Sequence, residues 1–582
     1  MMYYSKGNYE AFARPQKPAG VDSKSAYMVG GGLASLAAAA FLIRDGQMAG
    51  NRITIFEASS IDGGALDGAG NEHTGWLIRG GREMESAFEC LWDLYRSIPS
   101  LEIEDASVLD EFYWLNKADP NFSLQRTTEY QGKAPEMGKT FKLDHHGRKD
   151  IVKLVLALPE TLYDKRIDEV MSPAFFASNF WLYWRTMFAF EQWHSALEMK
   201  LYVQRFIHQI AGLPDFSTLK FTKYNQYESL ALPLVTWLLS HGVNIMHNTK
   251  VMNVEFDITP ISKCAKRIEW IKNGIVGGVD ITKNELVFVT NGSLVENSDW
   301  GDHNTPAKFL PEVRDDGSWH LWRNIAAQDP SFGRPDKFCM FPEQTQWESA
   351  TVTTLDEQIP AYMESIAKRG MRTGCVVTGG IVTAKDSSWL MSWTVNRQPH
   401  FSKQPDNQTT VWVYGLFTNV LGDYVKKYMR DCTGEEITQE WLYHMGVPIN
   451  EIKMMAASGA ITRPCMMPFI TAFFMPRTEG DRPQVVPEHA VNFAFIGQFV
   501  ETSRDCVFTT ECSVRTAMEA VYQLVGVDRG VPEVFGSIYD VRELMKSTAL
   551  LRDGKKLPIP DFAKKYVMRT MIGRMLQEYG VI

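Results

Sequence analysis

The order of apolar and polar positions divides the chain before any single residue is weighed. Residues 1–24 are polar and carry Pro15 and Pro18, so they read as an arm rather than a domain. The run Ser25-Ala26-Tyr27-Met28-Val29 predicts a buried strand, and it leads directly into Gly30-Gly31-Gly32-Leu33-Ala34-Ser35. Residues 36–45 predict a helix stopped at Gly46, and residues 52–56 a second strand closed by Glu57. Further on, residues 230–240 predict a helix ending near Gly242, followed by a strand over 243–246 and then Val251. Residues 286–290 form another apolar strand that enters a loop at Asn291, Gly292 and Ser293. Late in the chain, an apolar strand over 491–496 leads to Gly497, and a helix is expected over about 513–525.

Between these pieces the pattern changes. Ser172-Pro173 is a helix start, with serine as N-cap and proline at the first helical position. It opens a block carrying Phe175, Phe180, Trp181, Trp184 and Phe188, and a second helical run over 195–210 carries Tyr202 and Arg205. Aromatics at this density cannot share one apolar stripe, so the block is either buried on several sides or lines a cavity. Strands are expected near 376–383, 389–395 and 409–414. In the tail, Val567, Met568, Met571, Ile572, Met575 and Leu576 fall on one helix face, with Lys564, Lys565, Arg569 and Arg574 off it. A basic amphipathic helix of this kind reads either as a membrane-surface element or as one that docks on its own domain or a second subunit.

Strand, glycines, helix, strand and acid in register make a dinucleotide-binding unit, with Ser35 at the final position of G-x-G-x-x-S. Gly30 permits the tight turn, and Gly32 lets a pyrophosphate approach the helix N-terminus. Glu57 is placed to accept from a ribose 2′-hydroxyl and would repel a 2′-phosphate, which disfavours NADP. The glycine pair Gly63-Gly64 and the returning stretch Arg79-Gly80-Gly81-Arg82-Glu83-Met84 follow the pattern of FAD proteins of the glutathione-reductase-like class. In that pattern Val251 contacts the adenine end and Ser293 follows a strand into a cofactor loop. The helix beginning near Ser513 faces the flavin, although Gln498 stands where an acid is usual. The fold expected is α/β. A discontinuous Rossmann-like FAD-binding domain is assembled from 25–150, 210–295 and 485–530. An aromatic-rich helical region follows at 151–209, a substrate domain of sheet and helices at 296–484, and a helical C-terminal region at 531–582.

Composition narrows the function. Net charge is −9, which argues against nucleic acid as a partner, and 16 Trp, 32 Phe and 27 Met suggest a large apolar cavity. Eight cysteines without a CxxC pair fit a reduced cytoplasmic protein, and no metal site is expected. No signal sequence is read, and no apolar run reaches the roughly 18 residues of a membrane span. Glu83, on a glycine-defined loop beside cations, is the candidate catalytic acid. Tyr202 could donate a proton from within the aromatic block, and Thr394, Asn396 and His400 could supply neutral donors to a carboxylate.

Several stretches together make the chain resemble the fatty-acid double-bond hydratases, the oleate hydratases also called myosin-cross-reactive antigens. They are Asn8-Tyr9-Glu10-Ala11-Phe12-Ala13-Arg14-Pro15, the 79–84 stretch, Arg96-Ser97-Ile98-Pro99-Ser100-Leu101-Glu102 and Lys223-Tyr224-Asn225-Gln226-Tyr227. With them go Arg397-Gln398-Pro399-His400-Phe401, Ser503-Arg504-Asp505 and Val507-Phe508-Thr509-Thr510-Glu511. The resemblance implies addition of water to a cis double bond, as in oleate to its 10-hydroxy acid, with FAD required, in reduced form, and no net redox change. It implies that Glu83 activates water and Tyr202 protonates the alkene, while Gln226, Thr394, Asn396 and His400 hold the substrate carboxylate. Ala34, Ala65, Arg82, Glu83 and Thr509 would join the FAD contacts, with Ala65 where some members carry serine. A homodimer is also implied, and the membrane-surface reading of the tail would place it at the inner membrane face. Two other readings of the residues stay open: a flavin oxidoreductase or isomerase acting on a lipid or isoprenoid, and a non-enzymatic lipid-binding flavoprotein.

Overall fold

The computed structural model describes residues 15–582 apart from 67, 137, 503, 504 and 508, and not the side chains of Asp561 and Lys564. The stretch at 8–14, Ser503-Arg504 and Phe508 therefore lie outside the described residues. The chain is α/β, built around two sheets. The first has five parallel strands in the order Phe493–Ile496, Glu285–Thr290, Ser25–Val29, Ile53–Phe56, Asn244–Met246. Its strands come from the start, middle and end of the chain, as the five dispersed apolar runs require. The runs are continuous rather than alternating because the sheet is buried, with helices Leu33–Arg44 and Thr510–Val525 packed on it and Phe256 of a smaller antiparallel sheet against Phe493. Helix Leu33–Arg44 is buried from Leu33 to Leu42, and its run of alanines lets helix Thr510–Val525 approach closely.

The second sheet has seven strands, in the order Asp299–Trp300, Ala460–Met467, Trp347–Thr354, Thr410–Gly415, Ser392–Thr394, Val382–Ala384, Thr127–Thr128. Every residue of Trp347–Thr354 is buried. Two of its threonines reach off the sheet to hold the strand Gly75–Ile78: Thr353 Oγ1 accepts from the Trp76 N–H and Thr351 Oγ1 from the Ile78 N–H, each at 3.0 Å. That strand delivers the 79–84 turn. A three-stranded antiparallel sheet, Thr249–Thr259, Ser262–Lys272 and Ile275–Asp280, flanks the first sheet.

Four details differ from the sequence pattern. Thr127–Thr128 pairs with Val382–Ala384 in the second sheet, so the 25–150 segment serves both sheets. The expected strands at 376–383 and 389–395 shrink to Val382–Ala384 and Ser392–Thr394. The aromatic block is not one helix. Pro173–Phe176 ends after one turn, and Ser178, whose hydroxyl accepts from the Trp181 N–H, starts Asn179–Phe188 afresh. The tail likewise breaks into Asp561–Val567 and Met571–Glu578, because Thr570 caps the second piece through the Gly573 N–H. Val567, Met568, Met575 and Leu576 then turn inward against Met545, Val581 and Ile582, whereas Phe562, Tyr566, Met571 and Ile572 stay exposed.

Candidate active site

At the first sheet the glycine-rich turn forms a cradle. Gly30 has φ 95° and Gly32 caps helix Leu33–Arg44 with no side chain bonded to the first-turn N–H groups. Those donors, and the positive end of the helix, suit a pyrophosphate. Gly63 donates its N–H to Gly31 O at 2.9 Å, and a Cβ on Gly64 would lie 3.1 Å from Gly32 Cα, so the second glycine pair closes the same cradle. Glu57 ends strand Ile53–Phe56, its carboxylate accepting from the Gly31 and Ser59 N–H groups at 2.7 Å each. Ala34 is buried in the first helical turn, and Ser35 Oγ lies 3.1 Å from Thr290 Oγ1. Val251 sits half-buried on Thr249–Thr259, and Ser293 follows Gly292, which has φ 67°. Thr509 caps helix Thr510–Val525 through the Cys512 N–H, with Ser513 in its first turn. The bare glycine backbone, the uncapped helix and the acid together fit the adenosine diphosphate part of a dinucleotide. Ala65 belongs to the next stretch of chain: its carbonyl accepts from the Arg82 guanidinium.

The 79–84 turn is held from three sides. Met84 exchanges two backbone hydrogen bonds with Lys220, at 3.0 and 2.8 Å. Asn396 Nδ2 donates to Gly81 O at 3.2 Å, and Gln226 Nε2 to Arg82 O at 3.5 Å. Arg82 has φ 66°, a left-handed conformation that a non-glycine residue adopts at a cost. The result brings the Glu83 carboxylate back over the turn, where a Cβ on Gly81 would lie 2.6 Å from Glu83 Oε1. That oxygen is sealed and has no hydrogen-bond partner. Burial pushes the Glu83 acid up to about 7, against its own backbone N–H, Arg126 and Arg82, which pull it down. A carboxyl poised near neutrality is suited to take or give a proton at physiological pH.

Arg126 is the residue the sequence pattern did not single out. It is 4% exposed, and its guanidinium donates to three carbonyls, Leu213, Ile381 and Tyr183, and to the Thr186 and Thr383 hydroxyls. Phe216 and Tyr183 sandwich it, with centroids 4.4 and 5.2 Å away. Burial lowers it to about 10, although Tyr183, Tyr414 and Glu83 oppose the fall. It therefore remains a cation at neutral pH, bearing on Glu83 through a dry, low-dielectric interior.

Glu83 lines a small cavity that leaves about 50 Å³ for the centres of water-sized molecules. Phe88, Met187, Phe188, Phe206 and Leu219 make it apolar, and Thr509 brings the late helix to its wall. Tyr202 is fully buried on helix Ala196–Phe206 and stands one layer back. Its ring contacts Phe188 at 5.4 Å and Phe206 at 6.1 Å, both cavity-lining, and Phe190 and Phe474 behind them. One turn along the same helix, Arg205 Nε meets Asp505 at 3.1 Å, and Asp505 in turn meets Arg515 of the late helix at 3.2 Å. A buried ion network thus fixes the Tyr202 helix to the first-sheet domain.

Of the four expected carboxylate holders, three gather beside the turn. Gln226 and Asn396 bond its carbonyls. His400 is buried with neither ring nitrogen hydrogen-bonded, and burial, with the nearby Arg82 charge, lowers it to about 4. It is a neutral imidazole with spare capacity, as is the Asn396 Oδ1. Thr394 is turned elsewhere, its hydroxyl 3.1 Å from that of Thr378.

Fold and site thus define an α/β protein with a dinucleotide cradle and a half-buried carboxyl over an apolar cavity. The family model described as the MCRA family matches residues 23–522, and the chain belongs to that family. It is 52% identical over 593 aligned residues to an oleate hydratase of Streptococcus pyogenes serotype M49 (strain NZ131), covering 100% of each chain. To a linoleate hydratase of Lactiplantibacillus plantarum it is 30% identical over 538 residues, covering 86% of this chain and 94% of the other.

Proposed function

We propose that the protein is a fatty-acid hydratase, a carbon–oxygen hydro-lyase that adds water across a cis double bond of an unsaturated fatty acid such as oleate. The observation that carries this reading is Glu83, a carboxyl held near pKa 7 at the wall of an otherwise apolar cavity. An unactivated alkene needs a proton donor at one carbon and a directed water at the other. Tyr202 gives its phenolic proton to one carbon once Phe188 or Phe206 has swung aside, which uses the alkene π pair. Water forms the new C–O bond at the other carbon and passes a proton to Glu83, and a proton returned from Glu83 through water to the Tyr202 phenolate restores both groups. Arg126 favours the ionised form of Glu83 between turnovers. Aromatic walls keep bulk water from the cationic carbon, and neutral donors at Gln226, Asn396 and His400 orient the carboxylate end, so that distance along the chain selects the carbon hydrated. Thr394 would join them only if released from Thr378.

The cradle residues Gly30, Gly32, Ala34, Ser35 and Glu57 would hold the adenosine end of FAD, with Val251 and Ser293 along it and Ala65, Arg82, Thr509 and Ser513 nearer the ring. Bound FAD would supply a flat, chargeable surface beside the 79–84 turn, because hydration itself transfers no electrons. The working form assigned is the reduced one. Equal turnover of oxidised and reduced enzyme in an anaerobic assay would sink that assignment. The hydratase reading is tested by incubating the full chain with oleate and FAD without oxygen. The product should weigh one water more than the substrate, and a product differing only in hydrogen count would mark an oxidoreductase instead.

No helix among the described residues is long and apolar enough to cross a membrane. The exposed Phe562, Tyr566, Met571 and Ile572, flanked by exposed Lys565, Arg569 and Arg574, support surface contact through the tail, with a lipid surface or the second subunit of a homodimer.

A further inference from the structure

Away from the cavity, a loop and a helix of the second-sheet domain bring three metal-type ligands to one point. We infer that Asp423, Glu440 and His444 form a binding site for a divalent transition cation of the Zn²⁺ or Mn²⁺ kind, although no metal-ligand spacing is legible in the sequence. The nearest Asp423 Oδ2, Glu440 Oε1 and His444 Nε2 atoms lie within 4.8 Å of one another. Glu440 and His444 stand one turn apart on helix Gly434–His444 and so share a face. Asp423 is carried to them by the 421–428 loop, whose base is closed by Gly422 N–H to Lys427 O at 2.9 Å and whose flank is tied by Trp389 Nε1 to Val420 O at 2.9 Å.

Two observations favour a metal over a plain ion pair. His444 is buried, at 6% exposure, and its Nε2 faces both carboxylates without a well-aligned hydrogen bond to either. An imidazolium between carboxylates would instead draw them to about 2.7–2.9 Å in good alignment. The separations are 3.2 Å to Asp423 and 3.4 Å to Glu440. Two bonds of about 2.1 Å at ordinary coordination angles place ligand atoms about 3.0–3.4 Å apart.

The carboxylates are prepared for this. Burial opposes ionisation of Glu440, but His444 and then the N–H groups of Val425, Tyr424 and Asp423 hold its acid below the usual value, and the three N–H groups fix its direction. Asp423 is held by the Ser388 N–H and hydroxyl. Such outer partners orient ligands in metal sites. The Asp423 side chain is 29% exposed, which leaves an entry path and room for water ligands. One imidazole and two carboxylates match the softness of Zn²⁺ or Mn²⁺ better than that of Ca²⁺. None of the three residues lines the cavity, so the cation's role is to clip the loop to the helix.

The test uses the full chain, stripped with a chelator, dialysed, and titrated separately with Zn²⁺ and Mn²⁺. About one equivalent of one of these ions should bind and raise the unfolding temperature, while His444→Gln and Asp423→Asn weaken binding at least tenfold with hydratase activity intact. Should a variant fail to fold, Mn²⁺ relaxation of water protons with the wild-type chain decides the matter alone, one bound ion per chain supporting the site. Absence of stoichiometric uptake, or equal uptake by folded wild type and variants, overturns it.

Discussion

Asn396 Nδ2 donates to the carbonyl of Gly81 at 3.2 Å, joining the end of a strand in the second sheet to the turn that carries Glu83. The contact spans two parts of the chain far apart in sequence. It makes the position of Glu83 depend on the second-sheet domain, because Asn396 holds the turn. Asn396→Ala leaves a buried carbonyl without its donor, a loss of about 1–3 kcal/mol. We expect kcat to fall about tenfold or more and KM for oleate to rise, read from steady-state kinetics. An effect on KM alone would show that the turn does not feel the contact.

Glu83→Gln should lower hydration by at least about 10²-fold, the usual scale for a general base. In the wild type, the rate should fall on the acid side of about pH 7, where Glu83 becomes protonated. Stability follows the opposite sense. The folded acid is raised above its ordinary 4.5, so the native state holds a proton the unfolded chain releases, and stability from this group is full below pH 4.5 and lost on rising to about 7. Urea unfolding at pH 5 and pH 8 should therefore differ less in Glu83→Gln than in the wild type.

Tyr202→Phe keeps the ring among Phe188, Phe190, Phe206 and Phe474 and removes only the hydroxyl. Turnover should drop by about 10²-fold or more with the unfolding temperature nearly unchanged, as expected for loss of a proton donor without loss of packing. Wild-type turnover in this variant would remove Tyr202 from the mechanism.

Two glycine variants should separate cofactor binding from catalysis. Gly64→Ala places a Cβ 3.1 Å from Gly32 Cα at φ 57°, and should cost the protein its FAD as read by flavin absorbance after gel filtration. Gly81→Ala instead places one 2.6 Å from Glu83 Oε1 and should retain flavin while losing most activity.

The parts legible in the sequence were those encoded within a few dozen neighbouring residues. The glycine cradle, Glu57 and the 79–84 turn all lie on short-range patterns whose spacing has a backbone reason. Arg126 was invisible because its five acceptors and two stacked rings come from three distant segments. Thr394 shares a strand face with Asn396, as alternation requires, yet the Thr378 hydroxyl captures it. The single aromatic helix and the single tail helix failed for a local reason: Ser178 and Thr570 bond backbone N–H groups three residues on and restart the helix.

The central claim, that Glu83 directs water onto the alkene, is tested most directly in heavy-oxygen water. Oleate should be converted by the wild type to a hydroxy acid carrying one solvent-derived oxygen, and by Glu83→Gln, folded and loaded with FAD, to almost none. Labelled product formed equally well by the variant would contradict the account.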